Sequence, residues 1–255
     1  MNDSSLQAAA EMLVAARRSG ARIADLPSGL RPESMMEAHA IQDAATRLLG
    51  AAVGGYKVYQ PADDALSRGA LLTDRIFAGP ARIPAALIPF LGIEAEIAFR
   101  LDRALPFRAA SYGREEVADA VSVCPAIEIL SPRYVDFDAV DFRTRVADHV
   151  GNGAFVHGTM LADWQRFDLA SAETRLFIDD ALAMRTKGQH LTGDPLLPVL
   201  YLANLGRSET GLQGGLEAGL IVTTGSLTGV TRLRPGQTAR VEIDHIGSVE
   251  ALFPA

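Results

Sequence analysis

Two carboxylates interrupt an otherwise apolar segment at residues 92–99, and their spacing constrains the fold more than any other feature of the chain. Glu94 and Glu96 are separated by one alanine and flanked by isoleucine and phenylalanine. In a β-strand, successive side chains point to opposite faces, so both acids lie on one face and the apolar side chains on the other. The pattern predicts a strand that brings two carboxylates into one small space.

A third acid, Glu128, occurs within the apolar run 125–130. Such a run is typical of a strand covered on both faces, where glutamate is rarely buried without a partner. A hard divalent cation would satisfy all three carboxylates, so the pattern indicates a metal site. The residues alone leave a second interpretation open, in which Glu94 and Glu96 lie on the wet face of a half-buried strand with Arg100 as their partner.

The composition is that of a globular protein with a sizeable core, since 48% of the 255 residues are hydrophobic and 22% are charged. A net charge of −7 argues against a nucleic-acid or anionic-membrane binder and favours a small-molecule substrate.

The N-terminus lacks a secretion signal and no stretch is apolar enough to span a bilayer, so we expect a cytoplasmic protein. We expect the single cysteine, Cys124, to be a packed thiol.

Two helices are predicted at the start of the chain. The first is capped by Ser4 or Ser5 and ends near Gly20, and the second runs from about residue 32 to residue 49. Together they form an N-terminal helical arm or cap over residues 1–53.

Strand-like runs dominate residues 54–255, which form the body of an α+β protein. Two further helices are predicted there, one over 114–122 and one that is capped by Asp194 and ends at Gly206. The strand-like runs are 56–59, 93–101, 126–130, 154–161, 176–184, 220–224 and 239–243.

Seven segments, taken in order, resemble the 2-keto-4-pentenoate hydratase and 4-oxalocrotonate decarboxylase family of the fumarylacetoacetate hydrolase superfamily. These segments are 55–58, 72–75, 93–99, 126–129, 147–148, 153–156 and 224–228. The resemblance covers nearly the whole chain. It implies a mixed β-sandwich or roll with an N-terminal helical cap, a catalytic domain over residues 54–255, and a homo-oligomer.

The same resemblance implies a set of catalytic groups. Glu94, Glu96 and Glu128 would hold a Mg²⁺ or Mn²⁺ ion that chelates a 2-oxo acid, while Lys57 and Asp74 would position the substrate and transfer protons. Without the resemblance, Lys57 would be an exposed strand lysine and Asp74 a turn-capping residue.

Four further residues fall in segments that the resemblance places at the substrate. They are Asp148, His149, Ser226 and Thr228. The chain departs from the family pattern where Tyr59 replaces a glycine and where His149 replaces an amide side chain. We expect the ring of Tyr59 to narrow the pocket and His149 to supply a proton near neutral pH, so that the substrate preference changes.

The leading hypothesis for the function is a metal-dependent hydratase of aromatic catabolism. It would add water to 2-hydroxypenta-2,4-dienoate, or a related dienoate, to give a 4-hydroxy-2-oxo acid. The alternatives are decarboxylation of 2-oxo-3-hexenedioate, hydrolysis of a carbon–carbon bond as elsewhere in the superfamily, and a non-catalytic protein that binds 2-oxo acids.

Overall fold

The computed structural model describes residues 1–59, 67–205 and 214–255, and of Tyr59 it describes only the backbone. The predicted effect of the Tyr59 ring therefore concerns a side chain outside the described residues, as does the predicted helix end at Gly206. The helices are α1 (Asp3–Ser19), α2 (Met35–Leu49), α3 (Arg114–Ala118), α4 (Phe142–Ala147) and α5 (Leu197–Leu205).

The two N-terminal helices form where the sequence predicts them, with small shifts at their starts. The side chain of Asn2, rather than Ser4 or Ser5, caps α1 by accepting a hydrogen bond from the amide of Ser5. Ser34 caps α2 by accepting from the amide of Glu37. Both helices end at a glycine in the left-handed conformation, which only glycine adopts without steric cost.

The strands form two main sheets and a short pair. They are β1 (Val53–Tyr59), β2 (Ser67–Leu72), β3 (Ile76–Ala78), β4 (Ala81–Arg82), β5 (Gly92–Leu101), β6 (Leu105–Pro106), β7 (Val121–Leu130), β8 (Asn152–His157), β9 (Glu173–Ile178), β10 (Ala181–Lys187), β11 (Gly215–Leu216), β12 (Ile221–Ser226), β13 (Thr231–Arg232), β14 (Thr238–Ile243) and β15 (Gly247–Leu252). The larger sheet has the order β2-β1-β12-β5-β7-β8-β3, with β13 also paired to β5. The second sheet has the order β10-β9-β14-β15-β4.

The two sheets pack face to face, because their facing side chains belong to one hydrophobic cluster. Ile97 and Phe99 of β5 enter this core together with Val241 of β14 and Val249 of β15. The α+β class and the mixed sandwich with N-terminal helices are confirmed. Since the apolar face of β5 is used here, its acids point to the other side of the sheet.

The main differences between the predicted and the observed elements lie at three places. The run 176–184 is two strands, β9 and β10, which are joined by a turn where Asp179 and Asp180 have positive φ. Strand β7 begins at Val121 and so shortens the predicted helix 114–122 to α3. Helix α4 was not predicted, because it is only six residues long.

The N-terminal helices pack against each other and against the segment that follows β7. Leu13 of α1 and Ile41 of α2 share a buried cluster with Tyr134. Gln42 is fully buried and connects α2 to β2, since its side chain donates to the carbonyl of Arg68 and accepts from the amide of Ala70. The apolar faces of these helices are thus used within one chain and do not themselves argue for an oligomer.

The chain enters the larger sheet at Val53, while the proposed domain boundary at residues 53 and 54 stays a prediction. Within the described ranges, no helix combines the length and apolar character that crossing a membrane requires.

Gly55 is the point at which β1 joins the larger sheet. It pairs in parallel register with Ile221 of β12, and a Cβ atom added at Gly55 would lie 2.2 Å from the carbonyl oxygen of Ile221. Only glycine permits this approach between the two backbones. Two residues further along, the same register sets Lys57 beside Thr223.

Candidate active site

The antiparallel register of β5 and β7 brings the three glutamates together. Glu94 lies directly opposite Glu128, and Glu96 lies opposite Ala126 on the same face. One carboxylate oxygen from each glutamate lies within 4.8 Å of the other two. Like charges directly opposite each other on a sheet repel, so this arrangement requires a compensating positive charge.

Burial makes that requirement stronger. Glu96 and Glu128 are buried, at 1% and 0% exposure. Burial raises the pKa of Glu96 well above its ordinary value, and the negative charges of Glu128 and Glu94 raise it further. The second carboxylate oxygen of Glu128 is also buried and has no hydrogen-bond partner among the described residues.

Lys57 supplies part of the compensation. Its ammonium nitrogen lies 2.8 Å from a carboxylate oxygen of Glu128. Burial alone would lower the pKa of Lys57, but Glu128, Glu94 and Glu96 outweigh it and raise the pKa. When all four groups are ionised they carry a formal charge of −2, which a hard divalent cation would neutralise with the oxygen ligands it prefers. The donor set therefore fits Mg²⁺ or Mn²⁺.

The alternative partner, Arg100, is not available to the acids. Its guanidinium pairs with Asp102, just beyond the end of β5, at 2.7 Å. The interpretation of Glu94 and Glu96 as a solvent-facing pair balanced by Arg100 is thus wrong.

Strand β12 supplies hydrogen-bond donors to the same carboxylates. The hydroxyl of Thr223 donates to Glu96, and the amide of Gly225 donates to the same oxygen at 3.2 Å. Burial raises the pKa of Glu94, and the charge of Glu128 adds to this effect. The charge of Lys57 and a hydrogen bond with the side chain of Ser226 oppose it without reversing it. Gly225 has a φ of 114°, a conformation that side chains rarely permit, so a glycine is needed to aim its amide at Glu96.

Glu94 and Glu96 face a cavity of about 360 Å³, within the range of small-molecule sites. Lys57, Glu94, Glu96 and Ser226 line its polar part. The remaining wall is mainly apolar and is formed in the described chain by Val58, Phe90, Leu130, Pro132, Phe137, Phe142, Val150, Leu191 and Val230. Arg145 and Asp138 also line the cavity.

Asp148 and His149 do not line this cavity. The carboxylate of Asp148 is buried in an ion pair with Arg133. The imidazole Nε2 of His149 lies 3.0 Å from the hydroxyl of Thr46. Burial, followed by the charges of Arg17, Arg133 and Arg68, holds the pKa of His149 well below its usual value, so the ring is neutral at pH 7 and does not supply the proton expected from the sequence.

Thr228 and Asp74 do not line the cavity either. The hydroxyl of Thr228 accepts a hydrogen bond from the amide of Ala95 at 3.1 Å, which ties the turn after β12 to β5. Asp74 is exposed, lies 3.5 Å from the guanidinium of Arg75, and lines a different cleft. The catalytic role of Asp74 stays a prediction, and it has no support from the geometry of the cavity.

Several site residues have no clear signal in the sequence. Asn152 donates from its side chain to Glu128 at 3.0 Å, although its position before Gly153 looks like part of a loop. Phe137, Phe142 and Arg145 come from an irregular segment and a short helix that tertiary packing brings to the cavity. A sequence pattern of period 2 or 3.6 cannot identify such residues.

Comparison with known proteins identifies full-length relatives. The chain is 30% identical over 257 residues to a 2-keto-4-pentenoate hydratase of Paraburkholderia xenovorans, covering 96% of this chain and 93% of the relative. It is 29% identical over 161 residues to a 4-oxalocrotonate decarboxylase of Pseudomonas putida, covering 63% and 59%. No family model matches the chain.

Solved structures show the same fold. The 4-oxalocrotonate decarboxylase of Pseudomonas putida G7, complexed with magnesium and adipate, superposes with a TM-score of 0.86 at 23% identity, covering 99% of this chain and 98% of the other. The fumarylpyruvate hydrolase of Pseudomonas aeruginosa, in complex with Mn²⁺ and pyruvate, gives 0.56 at 13% identity, covering 78% and 88%. At these identities the likeness establishes the fold.

We expect Glu96→Gln to weaken Mg²⁺ and Mn²⁺ binding by at least about tenfold, because it removes one charged ligand. The metal-free variant should be at least as stable as the wild type, since a buried like charge is lost. Titration calorimetry and thermal unfolding measure both effects. Glu217→Gln, at an exposed position, is the control. Equal metal affinities for the wild type and Glu96→Gln would contradict the assignment.

We expect His149→Asn to remove part of the acid sensitivity of the fold. The folded chain keeps this imidazole neutral, whereas the unfolded chain protonates it below about pH 6.5. The free energy of unfolding of the wild type should therefore fall by up to ~1.4 kcal/mol per pH unit more than that of the variant below about pH 6.5. Asparagine tolerates the positive φ of residue 149.

Urea unfolding between pH 7.5 and pH 5 tests this. The matched control is His245→Asn, since His245 is exposed and also has a positive φ. Parallel stability curves for the wild type and His149→Asn would show that the buried imidazole is not the source.

Proposed function

We propose a function from one premise: the chain belongs to the 2-keto-4-pentenoate hydratase family of the fumarylacetoacetate hydrolase superfamily. It is a divalent-metal-dependent hydro-lyase that adds water to 2-hydroxypenta-2,4-dienoate, or a related dienoate, and forms a 4-hydroxy-2-oxo acid. The observation that carries the proposal is the cluster of Glu94, Glu96 and Glu128 beside Lys57, in a chain with full-length hydratase relatives. Lys57, Glu94 and Glu96 line one cavity.

Glu94, Glu96 and Glu128 would hold the Mg²⁺ or Mn²⁺ ion. When bound, the ion supplies Lewis-acid stabilisation of negative charge on the oxygens of a 2-oxo acid. The chain itself supplies the ammonium group of Lys57 at the polar end of the cavity, where it can orient an anionic substrate. The apolar wall of Phe90, Leu130 and Val230 excludes bulk water from the hydrocarbon part of the substrate.

The oligomeric state and the cellular location of the protein are also proposals. We propose a homo-oligomer because the family resemblance implies one, and a cytoplasmic location because the relatives are named as enzymes of small-molecule metabolism.

The test of the reaction is an ultraviolet absorbance assay over a panel of dienoates with Mg²⁺ or Mn²⁺, with products identified by mass. We expect a product heavier than the substrate by one water, and we expect Lys57→Met to lower kcat/KM by about 100-fold. Lys187→Met, at the only other lysine, which is exposed, is the control.

Other outcomes of the assay would identify the alternatives. Loss of carbon dioxide from the substrate would identify a decarboxylase. Cleavage of the substrate into two acids would identify a carbon–carbon hydrolase. Binding of 2-oxo acids without any turnover would show a non-catalytic binding protein.

Arg145 favours one of these alternatives, the decarboxylation of 2-oxo-3-hexenedioate, as the second candidate. Its side chain lines the cavity and is held by the carbonyls of Val140 and Asp138 at 3.1 and 3.0 Å. Its guanidinium lies over the ring of Phe137, 5.3 Å from the centroid. Its ion-pair partner is the carboxylate of Asp138 at 3.3 Å, and that side chain is 92% exposed. An exposed pair of this kind contributes about 0–1 kcal/mol, so the distal carboxylate of a dicarboxylic substrate can replace Asp138.

We therefore expect Arg145→Met to lower kcat/KM, or inhibitor affinity, for six-carbon dicarboxylates by about 10- to 100-fold more than for pentadienoate. Arg143→Met is the matched control, because Arg143 lies on the same helix and pairs with Asp141. Equal losses on mono- and dicarboxylic compounds would remove the reason to prefer a dicarboxylate.

A further inference from the structure

A second polar cleft lies at the C-terminal end of α1, away from the candidate metal site. We name it the arginine cleft, after Arg17, Arg22, Arg75 and Arg133, which line it. Among the described residues, only Pro132 lines both this cleft and the cavity of the glutamates. The two sites are thus separate.

Three of these arginines have identifiable partners. Arg133 pairs with Asp148 and also donates to the carbonyls of Ser131 and Asn152. Arg75 lies near Asp74, and Arg22 donates to the carbonyl of Val135 at 3.2 Å.

Arg17 differs from the other three. Both terminal nitrogens of its guanidinium are shielded from solvent, and neither has a hydrogen-bond partner in the described part of the chain. Arginine on a helix surface normally keeps its charged end in water and buries its stem. Here the charged end points inward, although the residue as a whole is only half-buried.

This arrangement is unfavourable without a counter-ion. Burial, together with the charge of Arg133, lowers the pKa of Arg17 to about 9, against the opposing effects of Asp148 and Asp74. Arginine does not lose its proton in proteins, so the buried charge requires an anion nearby. The C-terminal end of α1 offers only about half a negative charge.

We propose that the arginine cleft binds an oxyanion, a carboxylate or phosphate group, and that the guanidinium of Arg17, whose terminal nitrogens are shielded from solvent in this structure, turns toward the oxyanion to pair with it. The enclosed space is about 30 Å³, room for about two water molecules. The two oxygens of a bidentate oxyanion occupy a similar space, whereas a nucleotide does not fit. Leu87 and Pro89 form an apolar rim at the opening, which suits a small acid with a short hydrocarbon part.

The oxyanion has two possible sources, a free small molecule or an acidic side chain of a second copy of the chain. Both sources present carboxylate or phosphate oxygens to Arg17. They are distinguished because a free ion stabilises the single chain, whereas a side chain of a second copy makes the protein associate.

The test compares the wild type with Arg17→Met and Arg18→Met. Arg18 is exposed and donates to the carbonyl of Leu48, so it is the matched control on the same helix. Thermal unfolding is measured in sodium chloride and at equal ionic strength in sodium phosphate or sodium acetate. Any ion that binds at the glutamate site affects all three proteins alike and cancels in the comparison.

A free oxyanion should raise the midpoint of the wild type and of Arg18→Met by about 3–5 °C at ten times its dissociation constant. Arg17→Met should show no such rise, and in chloride it should melt no lower than the wild type. Titration calorimetry of the wild type with phosphate and with acetate measures the binding directly and does not depend on how the variants fold.

Light scattering tests the second source. If neither ion binds, but the wild type and Arg18→Met associate and Arg17→Met does not, the oxyanion belongs to a second copy. The proposal is overturned if phosphate and acetate stabilise Arg17→Met as they do the wild type and both proteins associate alike. It is also overturned if the wild type binds neither ion and does not associate through Arg17.

Discussion

Three carboxylates and one ammonium group, gathered on one face of the central sheet, determine what the surrounding structure must supply. The charge they share exceeds what Lys57 can neutralise, so their oxygens are served by donors from three strands. Thr223 and Gly225 on β12 bond to Glu96, and Asn152 on β8 bonds to Glu128. Strands β12 and β8 are the sheet neighbours of β5 and β7, so each lies beside the strand whose glutamate it serves.

A second layer of polar contacts holds the turn that closes the cavity. Asp148 is buried against Arg133, and the two residues after it, His149 and Val150, have positive φ. Because of this strained turn, the imidazole of His149 points to Thr46, and the side chain of Val150 lies on the cavity wall. Asp148 thus influences the site through the backbone it positions, and through Arg133 it also contacts the carbonyl of Asn152.

The sequence predicts the centre of the site well and its edges poorly. Glu94, Glu96 and Glu128 could be placed because strand alternation and burial are local properties that the residues themselves encode. The directions of His149 and Thr228 depend on the geometry of turns, which no periodicity reveals. The cavity wall at Phe137 and Arg145 is set by tertiary packing of a segment without a regular pattern. The same limit explains why the hairpin of β9 and β10 was predicted as one strand, since both of its arms are strand-like.

The close approach at Gly55 has a consequence for the order in which the protein folds. The parallel pairing of β1 with β12 joins residue 55 to residue 221, so Lys57 meets the glutamates only after most of the chain has been synthesised. A contact so distant in sequence requires the closure of a long loop, which slows folding, while the pairing of β5 with β7 is far more local. During synthesis the acids are therefore assembled before their cation arrives, and a chain that stops short of β12 contains the glutamates without the strand that brings Lys57 to them.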